Sequence, residues 1–270
     1  MIPVGSRRRP LLLAHRGGGE EAPENSVEAF AHARSLGVRD IETDAHVTAD
    51  GKVVLIHDDV VDRLFDATGP VALLPWRDLA QLRSPQGGRI PLLSDVLEEF
   101  PDLAFNIDAK TDAVVGPLLD VLEEHAAFDR VLLASFSERR LNRIRRSGHG
   151  GVTTSLGATA VARLLAAAGT GTNPTSWHVP GPRQGVRAVQ VPTSYGPVPV
   201  VTQRLVATAH AAGIAVHVWT INDEDEMVRL LDLGVDGIVT DRPTLLRDVL
   251  RRRGQWEDTP EPGRQAPSGS

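Results

Sequence analysis

The sequence predicts a (β/α)8 barrel, or TIM barrel, with a small insertion after the second strand. Short apolar runs rich in β-branched residues alternate with longer helix-like segments, which is typical of a parallel sheet joined by crossover helices. The chain has 270 residues, 41% of them hydrophobic. This suits one barrel, which needs roughly 250 residues around a single large core.

The strand-like and helix-like runs follow one another in the order that a barrel requires. Strands are predicted at 11–14, 38–43, 53–56, 103–108, 131–135, 151–155, 188–192, 214–220 and 237–240. Helices are predicted at 26–36, 93–100, 113–125, 138–146, 159–168, 200–212, 223–233 and 244–253. A doubly wound open sheet is the structural alternative.

The third strand-like run, 53–56, is one too many for an eightfold barrel. It follows the second run so closely that no crossover helix fits between them. Asp50-Gly51 lies in this gap, and Asp-Gly is a strong hairpin-turn signal. We therefore expect 53–56 to pair antiparallel with the second barrel strand, which leaves eight parallel strands.

The chain is predicted to contain one barrel domain at 11–253, with the insertion at 45–88. Residues 1–10 are expected to be a flexible N-terminal segment. Residues 254–270 are rich in Pro, Gly, Ser, Glu and Gln, which predicts a disordered tail.

Composition excludes several classes of protein. Without cysteine, any metal must be held by oxygen and nitrogen ligands. A net charge of −6 disfavours a general nucleic-acid binder, which needs a dense basic surface. The apolar run 11–14 is too short for a signal peptide, and no run approaches the ~20 residues of a membrane span. We therefore expect a cytoplasmic protein with neither a nucleic-acid partner nor stable membrane insertion.

Acidic side chains stand at the predicted carboxyl ends of two strands, where barrel enzymes place their active sites. Residues two apart on a strand share a face, so Glu42 and Asp44 point the same way, as do Asp108 and Lys110. Burying three carboxylates at one rim would cost several kcal/mol per charge. A hard divalent cation with oxygen ligands is the natural compensation, and ion pairing with Arg16 and Lys110 is the alternative.

Two histidines end strands beside these acids. His15 closes the first strand, and His57 closes the hairpin arm. Two imidazoles near one reacting centre suit acid/base catalysis near neutral pH. The sequence therefore indicates a catalytic site as well as a cation site.

Several segments occur in an order that resembles one enzyme family. They are Leu13-Ala14-His15-Arg16-Gly17, Pro23-Glu24-Asn25-Ser26, Glu42-Thr43-Asp44, Asp50-Gly51, His57-Asp58, Asn106-Ile107-Asp108-Ala109-Lys110, Val218-Trp219-Thr220 and Gly237-Ile238-Val239-Thr240-Asp241-Arg242-Pro243. Together, over about residues 11 to 250, they resemble the glycerophosphodiester phosphodiesterase family.

The resemblance implies a role for each matching residue. His15 and His57 would be the general acid/base pair. Glu42, Asp44 and Asp108 would bind Mg2+ or Ca2+. Arg16 and Lys110 would hold the phosphate, and Lys110 is one of only two lysines in the chain. Trp219 would wall the pocket, with a core aromatic as the alternative. Asp108 stands where the family often has Glu, so ligation through water stays open there.

The implied activity is metal-dependent hydrolysis of glycerophosphodiesters, small-molecule substrates, to an alcohol and glycerol 3-phosphate. A lysophospholipase D acting on lysolipids is the main alternative. A non-catalytic phosphodiester-binding protein is the alternative from another class, although it would be expected to lack one of the histidines or acids.

A glycine-rich segment after the first strand imitates a dinucleotide-binding fingerprint. Gly17-Gly18-Gly19-Glu20-Glu21-Ala22 satisfies G-x-G-x-x-A. Two glutamates would sit where the pyrophosphate belongs, and Pro23 interrupts the turn before the helix. We therefore expect no nicotinamide or flavin dinucleotide to bind here.

Overall fold

A computed structural model describes residues 9–257 of the chain. The segment 1–8 and the segment 258–270 are not described, so most of the predicted N-terminal segment (1–10) and of the predicted tail (254–270) lies outside the described residues. Within residues 254–257, Trp256 packs against the main hydrophobic core.

Eight parallel strands form a closed ring, which confirms the predicted fold class. The strands in chain order are β1 (Leu11–His15), β2 (Asp40–Val47), β3 (Val53–Leu55), β4 (Ala104–Ala109), β5 (Val131–Ala134), β6 (Thr153–Ser155), β7 (Val186–Val191), β8 (Ser194–Tyr195), β9 (Val198–Pro199), β10 (Ala215–Val218) and β11 (Gly237–Thr240). The ring runs β1-β11-β10-β7-β6-β5-β4-β2, and pairing of β2 with β1 closes it.

The three remaining strands lie outside the ring. β3 pairs antiparallel with β2, with Ala45 opposite Leu55, as the Asp-Gly turn predicted. Strands β8 and β9 form a short hairpin after β7, which sequence analysis did not predict. Each of these two strands has only two residues, too few for a periodic pattern.

Helices cover the outside of the ring. They are α1 (Val27–Ser35), α2 (Trp76–Leu79), α3 (Leu93–Glu99), α4 (Val115–Glu124), α5 (Glu138–Arg145), α6 (Ala158–Thr170), α7 (Gln203–Ala211), α8 (Glu224–Leu233) and α9 (Pro243–Arg252). Ser26 caps α1 by accepting a hydrogen bond from the Ala29 amide, and Pro243 occupies the first turn of α9.

The alternation of side chains along the strands creates two apolar layers. An inner cluster fills the ring, and a much larger outer cluster lies between strands and helices. The inner residues are Leu11, Leu13, Leu132, Ala188, Ala215 and Val239. On β2 and β4, Ile41, Phe105 and Ile107 belong to the outer cluster, so Glu42, Asp44 and Asp108 face the inside of the ring.

The insertion after β2 has its own small core. β3, α2 and the loops between them enclose an apolar cluster that is separate from the barrel's two layers. Its buried members are Val54, Ile56, Val61, Phe65, Val71, Leu79 and Ile90. The insertion is therefore a packed unit beside the carboxyl ends of β1 and β2. No helix in the described part of the chain is long and apolar enough to cross a bilayer.

Candidate active site

The carboxyl ends of β1, β2 and β4, which we call the acidic rim, bring most of the predicted site residues together. The register places Glu42 beside Asn106 and Asp44 beside Asp108. It also places His15 beside Glu42. Because β1, β2 and β4 are consecutive strands of the ring, residues as far apart in sequence as His15 and Asp108 share one small region.

Asp44 lies at the centre of the acidic rim and is 2% exposed. Its Oδ1 lies 2.7 Å from Lys110 Nζ, and its Oδ2 accepts a 3.0 Å hydrogen bond from Asn25. Arg16 Nε is 3.6 Å away. Burial would raise the pKa of Asp44, but the Lys110 ammonium, together with Asn25 and Arg16, lowers it. Asp44 is therefore ionised and compensated.

Lys110 bridges two of the predicted metal ligands. Its ammonium lies 2.7 Å from Asp44 and 2.8 Å from Asp108. Burial opposes the charged form, but the two carboxylates raise the pKa of Lys110 above its ordinary value. The ion pairs that were the alternative to a metal site are thus present for Asp44 and Asp108.

Glu42 has no comparable partner. Its Oε2 accepts a long 3.3 Å hydrogen bond from the Arg16 amide and lies 3.8 Å from His15 Nε2. Burial, and next the negative charge of Asp44, raise the pKa of Glu42 to about 8. Without a bound cation, Glu42 is therefore mostly protonated and neutral near pH 7.

His15 is held by a residue from the last barrel strand. Its Nδ1 lies 2.6 Å from Asp241 Oδ1, and Asp241 also accepts a 2.8 Å hydrogen bond from Asn222. Burial disfavours the imidazolium, but the hydrogen bond with Asp241 and the charges of Glu42 and Asp241 raise the pKa of His15. A carboxylate can only accept, so Nδ1 carries a proton and Nε2 faces the acidic rim.

His57 has an equivalent partner on the insertion. Its Nδ1 lies 2.6 Å from Asp58 Oδ1. Burial would raise the pKa of Asp58, but Arg63 and His57 lower it. Asp58 thus remains a carboxylate that orients the imidazole. The His57 side chain is 36% exposed.

Trp219 directly follows β10, which is separated from β1 in the ring by β11 alone. It packs on the inner apolar cluster, and its ring meets Phe136 edge-on at a centroid distance of 5.9 Å. Phe136, which follows β5, is 66% exposed. Trp219 therefore packs on the inner core and also contacts the exposed Phe136 ring. Its role as a wall of the substrate pocket stays a prediction.

Sequence analysis assigned no role to four polar or aromatic residues at the strand ends. Asp241 stood in a quoted segment, and Glu24 and Asp58 each stood in a quoted motif. Phe136 carried no signal apart from its place directly after a strand. Only contacts in the fold connect them with His15, Arg16, His57 and Trp219.

The donor chemistry of the acidic rim fits a hard divalent cation. Its candidate ligands are carboxylate oxygens, which Mg2+ and Ca2+ prefer. Two buried acceptors, Asp108 Oδ1 and Asn106 Oδ1, have no hydrogen-bond partner, and burial raises the pKa of Glu42. Within residues 9–257, however, no three His, Asp or Glu side chains are already gathered as a ligand set. The Lys110 ammonium lies between Asp44 and Asp108.

The glycine-rich turn after β1 serves packing. At Gly17, φ is +85°, and an added Cβ would lie 2.6 Å from the Ala29 Cβ. At Gly18 it would lie 2.8 Å from Pro243 Cγ. The Glu21 carboxylate accepts hydrogen bonds from both the amide and the hydroxyl of Thr244. The segment therefore packs tightly against α1 and α9.

The sequence matches the model of the glycerophosphoryl diester phosphodiesterase family over residues 15–245. A probable glycerophosphodiester phosphodiesterase of Mycobacterium tuberculosis is 41% identical over 92% of this chain and 93% of its own length. A glycerophosphodiester phosphodiesterase of Caldanaerobacter subterraneus is 30% identical over 91% of this chain and all of its own length. A lysophospholipase D of Homo sapiens is 28% identical over 88% of this chain and 85% of its own.

Solved structures share the fold. An Oleispira antarctica phosphodiesterase in complex with the product sn-glycerol-3-phosphate superposes with a TM-score of 0.76 at 23% identity, covering 90% of this chain and 97% of the other. A glycerophosphodiester phosphodiesterase from Agrobacterium tumefaciens gives a TM-score of 0.71 at 21% identity, covering 88% and 99%.

Proposed function

Because this chain belongs to the glycerophosphoryl diester phosphodiesterase family and is an enzyme of that class, we propose that it hydrolyses glycerophosphodiesters to an alcohol and glycerol 3-phosphate with a divalent cation and two histidines. The observation that carries this proposal is the meeting of His15 with Glu42, Asp44 and Lys110 at one rim. We assign the activity to residues 11–253, with the insertion at 45–88.

The cationic residues of the rim would bind the phosphodiester. Arg16 and Lys110 each present a charge beside Asp44 and can stabilise negative charge on the non-bridging oxygens. Glu42, Asp44 and Asp108 would hold Mg2+ or Ca2+. When bound, the cation supplies Lewis-acid stabilisation of the phosphoryl oxygens and polarises the attacking oxygen.

The two histidines would move the protons. One imidazole takes the proton of the attacking water or substrate hydroxyl as the new P–O bond forms. The other protonates the departing alcohol oxygen as the old P–O bond breaks. Asp241 and Asp58 each hold Nδ1, which leaves both Nε2 atoms for this work.

The contact between Trp219 and Phe136 favours a second candidate, a lysophospholipase D activity. The exposed Phe136 ring beside Trp219 offers apolar surface at the carboxyl ends of β5 and β10, where an acyl chain could lie. The human relative that is named a lysophospholipase D adds support. A panel of glycerophosphodiesters and lysolipids distinguishes the two substrates.

Chelation tests the metal proposal. We expect EDTA to abolish release of glycerol 3-phosphate from a glycerophosphodiester, and Mg2+ or Ca2+ to restore it. The same ions should raise the melting temperature of the EDTA-treated protein, which is independent of turnover. If neither the activity nor the melting temperature changes with EDTA or with added metal, the cation has no part in the reaction.

Substitution tests the histidine roles. We expect His15→Ala and His57→Ala each to reduce turnover by at least about a hundredfold, the lower bound typical of a lost general acid or base. His32→Ala is the control, because His32 lies on α1 and bonds Glu21 outside the acidic rim. A near-normal rate in either variant would refute the role of that histidine. Substrate binding with no turnover in the wild type would favour the non-catalytic alternative.

A further inference from the structure

We propose that Arg63, in the insertion, is a positioning residue that holds the phosphate-binding Arg16 and the acid/base His57 in register through two carboxylates, Glu24 and Asp58. The inference rests on the proposed function, since it assigns Arg63 a part in the same site. It gives the insertion a task in catalysis as well as a place in the fold.

One guanidinium joins the two halves of the site. Arg63 Nε donates to Asp58 Oδ2 at 2.5 Å, while its Nη1 and Nη2 donate to the two Glu24 oxygens at 3.0 and 2.6 Å. All three nitrogens of the planar fork are thus used. A lysine could not reproduce this pattern, because an ammonium lacks the fixed geometry of the fork.

Besides Arg63, each carboxylate also contacts one predicted site residue. Asp58 Oδ1 lies 2.6 Å from His57 Nδ1. Glu24 Oε1 accepts a 2.8 Å hydrogen bond from Arg16 Nη1. Arg16, Glu24, Arg63, Asp58 and His57 therefore form one continuous chain of charged contacts across the mouth of the barrel.

The two carboxylates are shielded enough for these contacts to matter. Glu24 is 16% exposed and Asp58 is 21% exposed. Burial opposes ionisation of Glu24, but Arg63 and Arg16 lower its pKa below the ordinary value. Both acids are therefore anions at neutral pH and can orient their partners.

The backbone that carries Arg63 is well anchored. Val61 is fully buried and Phe65 is 8% exposed, both in the separate core of the insertion. The insertion also packs closely against the loop that carries Glu24: Gly88 lies so near Pro23 that an added Cβ would be 2.6 Å from the Pro23 Cβ. A guanidinium on a packed unit can hold two carboxylates in place more firmly than one on a free loop.

A merely structural ion pair would behave differently. Exposed ion pairs contribute only about 0–1 kcal/mol to stability, so a structural role would leave kcat and KM almost unchanged. A positioning role lowers kcat, because His57 loses the orientation that Asp58 imposes, and also raises KM, because Glu24 no longer holds Arg16 at a fixed place.

The test compares Arg63→Ala and Arg63→Lys with Arg77→Ala. Arg77 is the matched control, since it lies in the same insertion and its 3.5 Å contact is with the exposed Asp78. With glycerophosphocholine as substrate, we expect Arg63→Ala to lower kcat/KM by about tenfold, less than the 10²–10⁴ of a whole general acid or base, because His57 itself is kept. Arg63→Lys should recover only part of the loss, and millimolar guanidinium should partly rescue Arg63→Ala but not Arg77→Ala.

A second readout does not depend on turnover. In the 15N-labelled protein, the imidazole resonances of His57 report which ring nitrogen carries the proton. We expect Nδ1–H in the wild type and in Arg77→Ala, and a mixture of tautomers in Arg63→Ala. The double variant Asp58→Asn/Arg63→Ala should have the same kcat as Asp58→Asn alone, because both substitutions break the contact between Arg63 and Asp58 that orients His57.

The outcomes separate this inference from the proposed function. An Arg63→Ala variant with the kcat, KM and His57 spectrum of Arg77→Ala would overturn the positioning role, even if the enzyme is active and metal-dependent. A wild type that releases no glycerol 3-phosphate would instead overturn the proposed function, while the His57 spectrum would still decide whether Arg63 orients that ring.

Discussion

His15 and Asp241 are 226 positions apart in the chain, yet their side chains meet at 2.6 Å. The contact exists because β1 and β11 are neighbours in the closed ring, with Ala14 beside Thr240. It ties the first strand's histidine to the last strand's carboxylate, and it decides which imidazole nitrogen faces the acidic rim.

Removing the charge of Asp241 should impair His15 without unfolding the protein. Asp241→Asn keeps the size of the side chain but removes the carboxylate that raises the pKa of His15. We therefore expect the pKa of His15 to fall, and kcat to drop by about tenfold, less than the 10²–10⁴ of a lost general acid or base, because the imidazole is kept. The pH dependence of kcat and an NMR titration of His15 check this. The surface substitution Asp232→Asn is the control, and an unchanged titration would contradict the expected role.

Lys110 should stabilise the fold as well as the site. Lys110→Met leaves Asp44 and Asp108 without their shared ammonium, and breaking a buried ion pair costs roughly 3–5 kcal/mol. Urea unfolding in EDTA measures the loss, with the exposed Lys52→Met as the matched control. Added Mg2+ or Ca2+ should restore part of the stability. Equal stability of the two variants would show that Lys110 does not compensate these acids.

Alanine substitutions at Gly17 and Gly51 distinguish the cost of backbone strain from the cost of a steric clash. Both have positive φ, +85° and +80°, but a Cβ at Gly51 meets nothing within 4 Å, whereas one at Gly17 meets the Ala29 Cβ at 2.6 Å. We expect Gly51→Ala to cost ~1 kcal/mol and Gly17→Ala ~3 kcal/mol, measured by urea unfolding. Similar losses for both would mean that α1 moves away from the turn easily.

The contribution of Arg63 to stability should depend on pH. The pKa values of Glu24 and Asp58 are below their ordinary values of 4.5 and 3.8. Groups with lowered pKa stabilise the fold above the ordinary value and lose that effect as the pH falls through the folded-state value. The difference in melting temperature between wild type and Arg63→Ala should therefore be largest at neutral pH and shrink below about pH 4.

The control for this pH dependence is Arg77→Ala, which should show no such trend. A difference for Arg63→Ala that persists unchanged at acid pH would mean that the guanidinium stabilises the insertion through packing of its side chain, and that the two carboxylates contribute little.

Much of the fold could be predicted because its signals are local. Alternation of side chains along β2 and β4 assigned Glu42, Asp44 and Asp108 to one face, and the Asp50-Gly51 turn identified β3 as an arm outside the ring. The β8–β9 hairpin was missed because two-residue strands carry no period. The partners of His15, His57 and Arg16 were missed because a contact with Asp241, Asp58 or Glu24 depends on distance in space.

The sequence by itself determined the barrel, the order of its strands and the strand ends that carry acids and histidines, because backbone periodicity and turn chemistry act over a few residues. Only the tertiary structure decided that Lys110 lies between Asp44 and Asp108, that burial raises the pKa of Glu42, and that Arg63 connects Glu24 with Asp58. These relationships depend on which charged groups the closed ring and the packed insertion bring within a few ångströms, and on how much water is excluded around them.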